Sequence, residues 1–230
     1  MQSQYHVASQ TTQDLALQQN RVLRNTYLLL ALSMVPTVLG AWLGVQLRFS
    51  FFAGSPMISF LVFMGVAFAF MWGIERSKNS GLGVALLLGF TFFMGLMLSR
   101  ILQYTLGFSN GGTLIAMAAG GTGAIFFTLA GVATVTKKDF SFLGKFLFIG
   151  MIVVLLAAVA NIFFMIPALA LTISALSVMI FSAYILYDIS RIVNGGETNY
   201  VMATLSVYLD IYNVFVSLPN LLTALAGNRD

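Results

Sequence analysis

The chain has 230 residues, of which 59% are hydrophobic and 8% are charged, and its mean hydropathy is +0.94. A soluble domain needs about a quarter of its residues charged, so this composition excludes a soluble enzyme and predicts a polytopic membrane protein. The net charge of +4 comes from basic residues in short turns without interleaved aromatic residues, which argues against nucleic-acid binding. With no cysteine and a single histidine, His6, ordinary thiolate and imidazole metal sites are excluded.

Residues 1–25 are predicted to form a polar cytoplasmic tail. Residues 1–20 are rich in glutamine and lack the apolar core of a cleaved signal peptide, so we expect them to be soluble and mobile. Arg21 and Arg24 lie between this polar stretch and the first apolar run.

Seven apolar runs follow, each about as long as the roughly 20 residues that cross a bilayer. Pro36 lies inside the first run and is expected to kink its helix without ending it. A tight turn from Met165 to Pro167 separates the fifth and sixth runs, which together are too long for one helix. The fold class is therefore an all-α membrane protein, with a seven-helix transmembrane domain at 26–226 and a short C-terminal end at 227–230. The predicted spans are 26–47, 56–74, 82–102, 113–135, 142–164, 166–187 and 200–226.

Basic residues near the ends of the spans predict the orientation, because positive flanks resist translocation. Eight lie on one side and three on the other, which places the N-terminus in the cytoplasm and the C-terminus outside. The eight are Arg21, Arg24, Arg76, Lys78, Lys137, Lys138, Lys145 and Arg191, and the three are Arg48, Arg100 and Arg229.

Small residues recur inside the spans, as at Gly40 and Gly44 and in the run AAGGTGA at 118–124. Because small residues let helix backbones approach closely, they predict packing of one span on another within the chain, or alternatively a self-association face. The run lacks the strand and the lysine of a phosphate-binding loop, which excludes a nucleotide site.

Two aspartates are placed within the apolar runs or at their edge. Asp188 lies near the end of the sixth helix, and Asp210 is about ten residues into the seventh, roughly 15 Å along it. Each is eleven residues from Asn199, near the midpoint of the polar turn, so in an antiparallel hairpin they meet at similar depth. A carboxylate at the bilayer centre costs about 2.5–3.5 kcal/mol, so we expect both to face the bundle interior as partners.

Two close carboxyl groups in a low-dielectric site tend to share one proton, because both cannot ionise cheaply. The pair is therefore a candidate pH sensor and gate, and its oxygens are a candidate calcium site. Alternatively, Asp188 caps its helix or pairs with Arg191, and Asp210 hydrogen-bonds tyrosine or asparagine neighbours. Four nearby residues are candidates for a supporting role, and they are Arg191, Tyr184, Tyr208 and Asn213.

The polar turn between these helices contains residues suited to helix ends. Gly195 and Gly196 suit the C-terminus of the sixth helix, and Thr198 suits the N-cap of the seventh.

Two stretches of this hairpin carry a family signature, SAYILYDISRIV at 182–193 and SVYLDIYNVFVSLPNLL at 206–222. They resemble the transmembrane Bax inhibitor family. RVLRNTYLLL, KKDFSFLG and GGETNY are similar to its bacterial branch, described as modulators of the membrane-anchored FtsH protease. The resemblance implies a seven-helix fold with the last helix central and a place in the bacterial inner membrane. In members with the aspartate pair it also implies a pH-sensitive calcium leak.

Two functions are consistent with these residues. The modulator-like motifs imply a regulator that binds FtsH, with the polar tail as the segment engaged by the protease. The aspartate pair implies a calcium leak channel gated by a proton shared between Asp188 and Asp210. A proton-coupled transporter fits less well because no internal repeat is visible, and no enzyme is expected because no span contains a histidine. The expected partners are the lipid bilayer and FtsH, without nucleic acid and without a cofactor other than calcium as a permeant ion.

Overall fold

The protein is described by a computed structural model that covers residues 2–49 and 56–226, with side chains for 17–49 and 57–226. Within these ranges it forms seven α-helices, all long and apolar enough to cross a membrane, which confirms the predicted fold class. A short 3-10 helix, Ser141–Leu143, precedes the fifth α-helix. The helices are α1 Gln2–Gln46, α2 Pro56–Ser77, α3 Gly81–Leu106, α4 Gly111–Thr136, α5 Gly144–Phe164, α6 Pro167–Val193 and α7 Tyr200–Ala226.

The first helix is longer than its apolar run. α1 begins at Gln2, so the predicted mobile tail is helical and continuous with the first span, whose membrane-compatible part starts at Leu17. The physical reason lies in composition, since the residues before Pro36 include good helix formers and neither glycine nor proline. The predicted C-terminal end at 227–230 lies outside the described residues.

Two prolines act as their positions predict. Pro36 lies inside α1 without ending it. Pro167 occupies the start of α6, where its missing N–H leaves no helical hydrogen bond unmade. Just before it, Met165 adopts a left-handed conformation with φ of 51°, and the Asn161 side chain accepts the N–H of Ile166 at 2.9 Å. The predicted tight turn between the fifth and sixth spans is therefore confirmed.

The last helix is the centre of the bundle. α7 packs against α1, α2, α3, α4 and α6, whereas α5 packs chiefly on α6. Half of the most apolar stretch of α7 is buried, a larger share than in any other span. The central position of the last helix, implied by the family resemblance, is therefore seen in the structure.

The closest helix packing, between α1 and α3, depends on glycines. A Cβ atom at Gly40 or Gly95 would collide with the backbone of the facing helix, and one at Gly44 would lie 2.7 Å from the Ser99 Cβ. Gly40 and Gly44 therefore serve packing within the chain, the first of the two predicted roles.

The turns that carry the basic residues lie together at one end of the bundle. Asn199, in the α6–α7 turn, donates to the Lys78 carbonyl at 3.2 Å and to Asn79 at 2.8 Å, both in the α2–α3 turn. Ser190, near the end of α6, donates to the Lys138 carbonyl at 2.9 Å and accepts the N–H of Phe140 at 3.0 Å. The basic ends of α2, α4 and α6 thus form one surface.

The α6–α7 turn corrects the predicted N-cap. Asn199, not Thr198, caps α7, because its Oδ1 accepts the N–H groups of Val201 at 3.0 Å and Met202 at 3.1 Å. Asparagine reaches both donors from the residue immediately before the helix, the usual N-cap position. Gly195 adopts φ of 79°, as a glycine that ends a helix does.

Candidate functional site

The centre of the candidate site is the carboxyl group of Asp210 on the central helix. The residue is only 5% exposed, and its Oδ2 atom is buried without a hydrogen-bond partner. An ionised oxygen left unpaired in this environment costs several kcal/mol. The surroundings of Asp210 therefore favour a neutral carboxyl group or a bound cation.

The partner of Asp210 is Asp188 on α6. The α6–α7 hairpin places the two residues at matching distances from the turn, eleven residues on either side of Asn199, and their carboxyl groups are close enough to affect each other. Because two carboxylates are both acceptors, a hydrogen bond between these groups would require a proton. The structure thus joins the two residues that the hairpin spacing brought together, with Asp188 partly exposed and Asp210 buried.

Three other polar side chains lie near this pair. Tyr184 lies one turn before Asp188 on the same face of α6. Arg191 attracts Asp188, and Glu197 in the turn repels it. Arg191 also donates to the Gly196 carbonyl at 3.2 Å and lies over the Tyr187 ring at 5.7 Å, so its guanidinium holds the turn.

Two of the predicted supporting residues make their contacts elsewhere. The Tyr208 hydroxyl shares a 2.9 Å hydrogen bond with Thr37 of α1 and donates to the Thr91 carbonyl of α3 at 3.4 Å. Asn213 donates to the Leu209 carbonyl of its own helix at 2.8 Å. Tyr208 therefore ties the central helix to α1 and α3, while Asn213 is occupied by its own backbone.

Glu197 was not among the site residues predicted from the sequence. Its backbone N–H donates to the Arg191 carbonyl at 3.2 Å, so the turn folds it back toward the end of α6, where its charge repels Asp188. The signal available in the sequence was its position between the two aspartates, within the turn that joins their helices.

Two carboxyl groups do not complete a calcium site by themselves. Calcium takes six to eight oxygen ligands, and two carboxyl groups supply at most four. Among the residues that the structure describes, no cluster of three or more acidic, histidine or cysteine residues is present. Water or backbone carbonyl groups would have to complete the coordination of any ion at Asp188 and Asp210.

The central helix presents two chemically different faces. Tyr208, Ile211, Tyr212 and Phe215 line a cavity of about 1160 Å³ together with residues of α1, α3 and α4. Asp210 follows Tyr208 by two residues, about 200° around the helix, and so faces away from the cavity toward α6. The aspartate pair and the cavity therefore lie on opposite sides of α7.

Comparison with known proteins assigns the family. Residues 19–228 match the family model described as Inhibitor of apoptosis-promoting Bax1. The chain belongs to the Bax inhibitor family. The matched region contains both aspartates and all the helices except the start of α1.

Several bacterial relatives are similar to this chain over most of its length. The modulator of FtsH protease YccA of Escherichia coli strain K12 is 41% identical over 203 residues, which are 88% of this chain and 90% of that protein. An uncharacterized protein of Neisseria meningitidis serogroup A is 40% identical over 210 residues, covering 90% and 92%. A membrane protein of Vibrio cholerae is 37% identical over 212 residues, covering 92% and 93%. The chain is thus a multi-pass membrane protein of the Bax inhibitor family, similar to a modulator of FtsH protease.

Proposed function

We propose that this protein modulates a membrane-anchored FtsH protease by binding to it in the bacterial inner membrane. The observation that carries the proposal is the 41% identity, over 88% of this chain, to the modulator of FtsH protease YccA. Another relative is named inner membrane protein YccA. The proposed role involves binding without catalysis and without a cofactor.

The segment that we propose FtsH engages is the start of α1. Residues 2–16 precede the first membrane-compatible stretch, which begins at Leu17, and form a helix continuous with it. Gln19 packs against Gly195 of the α6–α7 turn, which links the base of this segment to the aspartate hairpin. The family match begins at residue 19, so this segment lies outside it.

Co-reconstitution of FtsH with this protein tests the proposal. We expect the wild-type chain to change the rate at which FtsH degrades a membrane substrate, and a chain without residues 2–16 to have a weaker effect. Gln19 stays in place, so the bundle keeps its contact with the turn. In a second variant, a glycine–serine sequence of equal length replaces residues 2–16. This variant shows whether the effect on FtsH depends on the sequence of the segment or only on its length. A degradation rate identical with wild-type protein and with empty bilayer would contradict the proposal.

A second function, a proton-gated calcium leak, is supported by the contact between Asp188 and Asp210. With one shared proton, the pair holds α6 and α7 together. Loss of that proton leaves two adjacent negative charges, which repel each other and attract a cation into the gap. Arg191 attracts the Asp188 carboxylate and Glu197 repels it, so these two charges bias this equilibrium.

Calcium entry into proteoliposomes tests the leak. We expect a flux that rises with pH in wild-type protein and that loses this dependence in Asp188→Asn and Asp210→Asn. The matched control is Asp139→Asn, which makes the same chemical change at an exposed residue of the α4–α5 turn. Wild-type flux no greater than that of protein-free liposomes, or an unchanged pH profile in both variants, would remove the pair from any gating mechanism.

A further inference from the structure

An apolar groove lies between α1 and α4, apart from the aspartate pair. Its volume is about 1160 Å³, and α3 and α7 complete its lining. Along α1 it extends from Tyr27 to Trp42, roughly 22 Å at the helical rise. Trp42 is 60% exposed and Phe127 of α4 is 73% exposed, so the groove opens to the surface that faces the bilayer.

The hydroxyl groups in the groove are bonded to the protein. Tyr208 is bonded to Thr37 at 2.9 Å, and Tyr212 donates to the Met94 carbonyl at 3.2 Å. Thr122 donates to the Ala118 carbonyl of its own helix at 2.8 Å. With these groups occupied, the groove offers an occupant mainly hydrocarbon contacts.

Small residues of α4 create the space. A Cβ atom at Gly123 or Gly131 would meet nothing within 4 Å, and both glycines line the groove. A methyl group at either position would therefore project into the groove without touching another part of the chain. The glycines are therefore not required by contact with a neighbouring helix.

The shape of the groove suits flexible hydrocarbon chains. Acyl chains adapt to the volume available, and each leaflet supplies hydrocarbon to a depth of about 15 Å. The groove is apolar along its length on α1 and is open to the surface that faces the bilayer. Its occupant is therefore distinguished by the charge found at one end of the groove.

One end of the groove is flanked by basic residues. The Tyr27 and Thr134 hydroxyls lie 3.4 Å apart and link α1 to α4 there. Arg24 lies one helical turn before Tyr27, on the same face of α1, and Lys137 follows Thr134 by three residues. Both are exposed, as are the neighbouring Arg21 and Lys138.

The acidic residue beside these cations does not cancel their charge. Asp139 is exposed and accepts the N–H of Ser141 at 2.8 Å, at the start of the chain segment that leads into α5. Hydrogen bonds from Ser141 hold the pKa of the Asp139 carboxyl below its usual range. Four exposed basic residues thus outnumber one exposed carboxylate near this end of α1 and α4, which leaves a net positive charge.

We propose that this groove binds an anionic phospholipid from the leaflet on the basic side of the bundle. Its acyl chains lie between α1 and α4, and its phosphate lies against Arg24 and Lys137. The occupant touches Tyr208 and Tyr212 of the central helix, on the face opposite Asp210.

Native mass spectrometry of the delipidated full-length protein tests the proposal, with phosphatidylglycerol and phosphatidylcholine added in equal amounts. We expect wild-type protein to retain phosphatidylglycerol preferentially. Gly123→Leu and Gly131→Leu, which fill the groove, should each weaken retention about tenfold, the effect of losing roughly two buried methylene contacts. Their matched control is Gly120→Leu, an exposed position on the same helix that does not line the groove and has nothing within 4 Å.

The charge requirement is tested separately. The double variant Arg24→Gln with Lys137→Asn should lower the preference for phosphatidylglycerol about 30-fold, since each basic residue contributes about fivefold. Its control, Arg76→Gln with Lys145→Gln, removes the same charge at the same end of the bundle and should keep the preference.

Three results would overturn the proposal. One is equal lipid retention by Gly123→Leu, Gly131→Leu and wild-type protein, with all three shown to be folded by thermal unfolding. Another is an equal loss of preference in the two double variants. The third is a groove variant that changes the oligomeric mass and leaves lipid retention unchanged, which would assign the groove to a second copy of the chain.

Discussion

Asn199 connects the aspartate hairpin to the α2–α3 turn. Asn199 caps α7 through Oδ1 and joins the α2–α3 turn through Nδ2. The side chain therefore fixes the start of the central helix relative to two other helices. The position of Asp210, eleven residues further on, depends on that start.

We predict that Asn199→Ala lowers the free energy of unfolding by about 1–2 kcal/mol, because a cap and an interhelical hydrogen bond are lost. Thermal unfolding of purified protein measures the change. Thr198→Ala is the matched control and should lie within about 0.5 kcal/mol of wild type, since its side chain is exposed. A larger effect at Thr198 than at Asn199 would show that the capping residue is misassigned.

The contact within the aspartate pair was predictable from the sequence, because equal spacing from a turn gives equal depth in a hairpin. Helix geometry could also have shown that Tyr208 points away from Asp210. The prediction that Tyr208 supports Asp210 did not take this geometry into account. Residues two apart on a helix lie on opposite faces, whereas Tyr184 and Asp188, four apart, share one. The hydrogen bond from Asn213 to the Leu209 carbonyl of its own helix could not be predicted from the sequence, because it depends on the conformation of the side chain.

At the scale of elements, the contact between α1 and α3 depends on the absence of side chains. A Cβ atom at Gly95 would collide with the carbonyl oxygen of Thr37. Thr37 also bonds Tyr208, so α3, α1 and α7 meet at this point. A change in the distance between α1 and α3 would therefore also disturb the contacts of the central helix α7.

We predict that Gly95→Ala destabilises the protein by about 1–3 kcal/mol, because the helices must separate to admit a methyl group. Gly65→Ala is the control, since Gly65 of α2 has nothing within 4 Å. Alanine should there leave stability unchanged or raise it by about 0.5–1 kcal/mol through helix propensity. The thermal unfolding midpoints of both variants measure this difference, and equal midpoints would argue against close backbone packing.

The number and order of the helices followed from hydropathy, because bilayer thickness sets the length of an apolar run. The helical conformation at the start of α1 could not be predicted from hydropathy, since a polar segment has no hydrophobic periodicity that distinguishes a helix from a coil. The groove could not be predicted from the sequence either. It arises between α1 and α4, which are far apart in the chain, and small residues such as Gly123 and Gly131 look alike in a packed interface and in an open one.

At the scale of the whole molecule, the basic turns lie at one end of the bundle. The predicted orientation places this end in the cytoplasm, because positive charge concentrates on the cytoplasmic side of membrane proteins. In that predicted orientation, the Asp188–Asp210 pair would lie nearer the cytoplasm than the outer surface, and the proposed lipid groove would have its charged end in the cytoplasmic leaflet.

Single cysteines test the orientation, since the chain has none of its own. Ser80→Cys, in the α2–α3 turn, should react with a membrane-impermeant maleimide in inverted vesicles and stay unlabelled in intact spheroplasts. Gly112→Cys, at the opposite end, should show the reverse pattern, and both residues are exposed. Labelling of Ser80→Cys from outside would invert the predicted topology.

The central claim, that Asp188 and Asp210 share one proton, is tested most directly by infrared difference spectroscopy of the protein in lipid bilayers. Spectra of wild type, Asp188→Asn and Asp210→Asn are compared between about pH 5 and 8, the range in which most proteins keep their fold. We expect a carboxylic acid signal in wild-type protein that disappears as the pH rises, and its loss or displacement in both variants. A wild-type spectrum without that signal at any pH, or one that neither substitution changes, would contradict a shared proton.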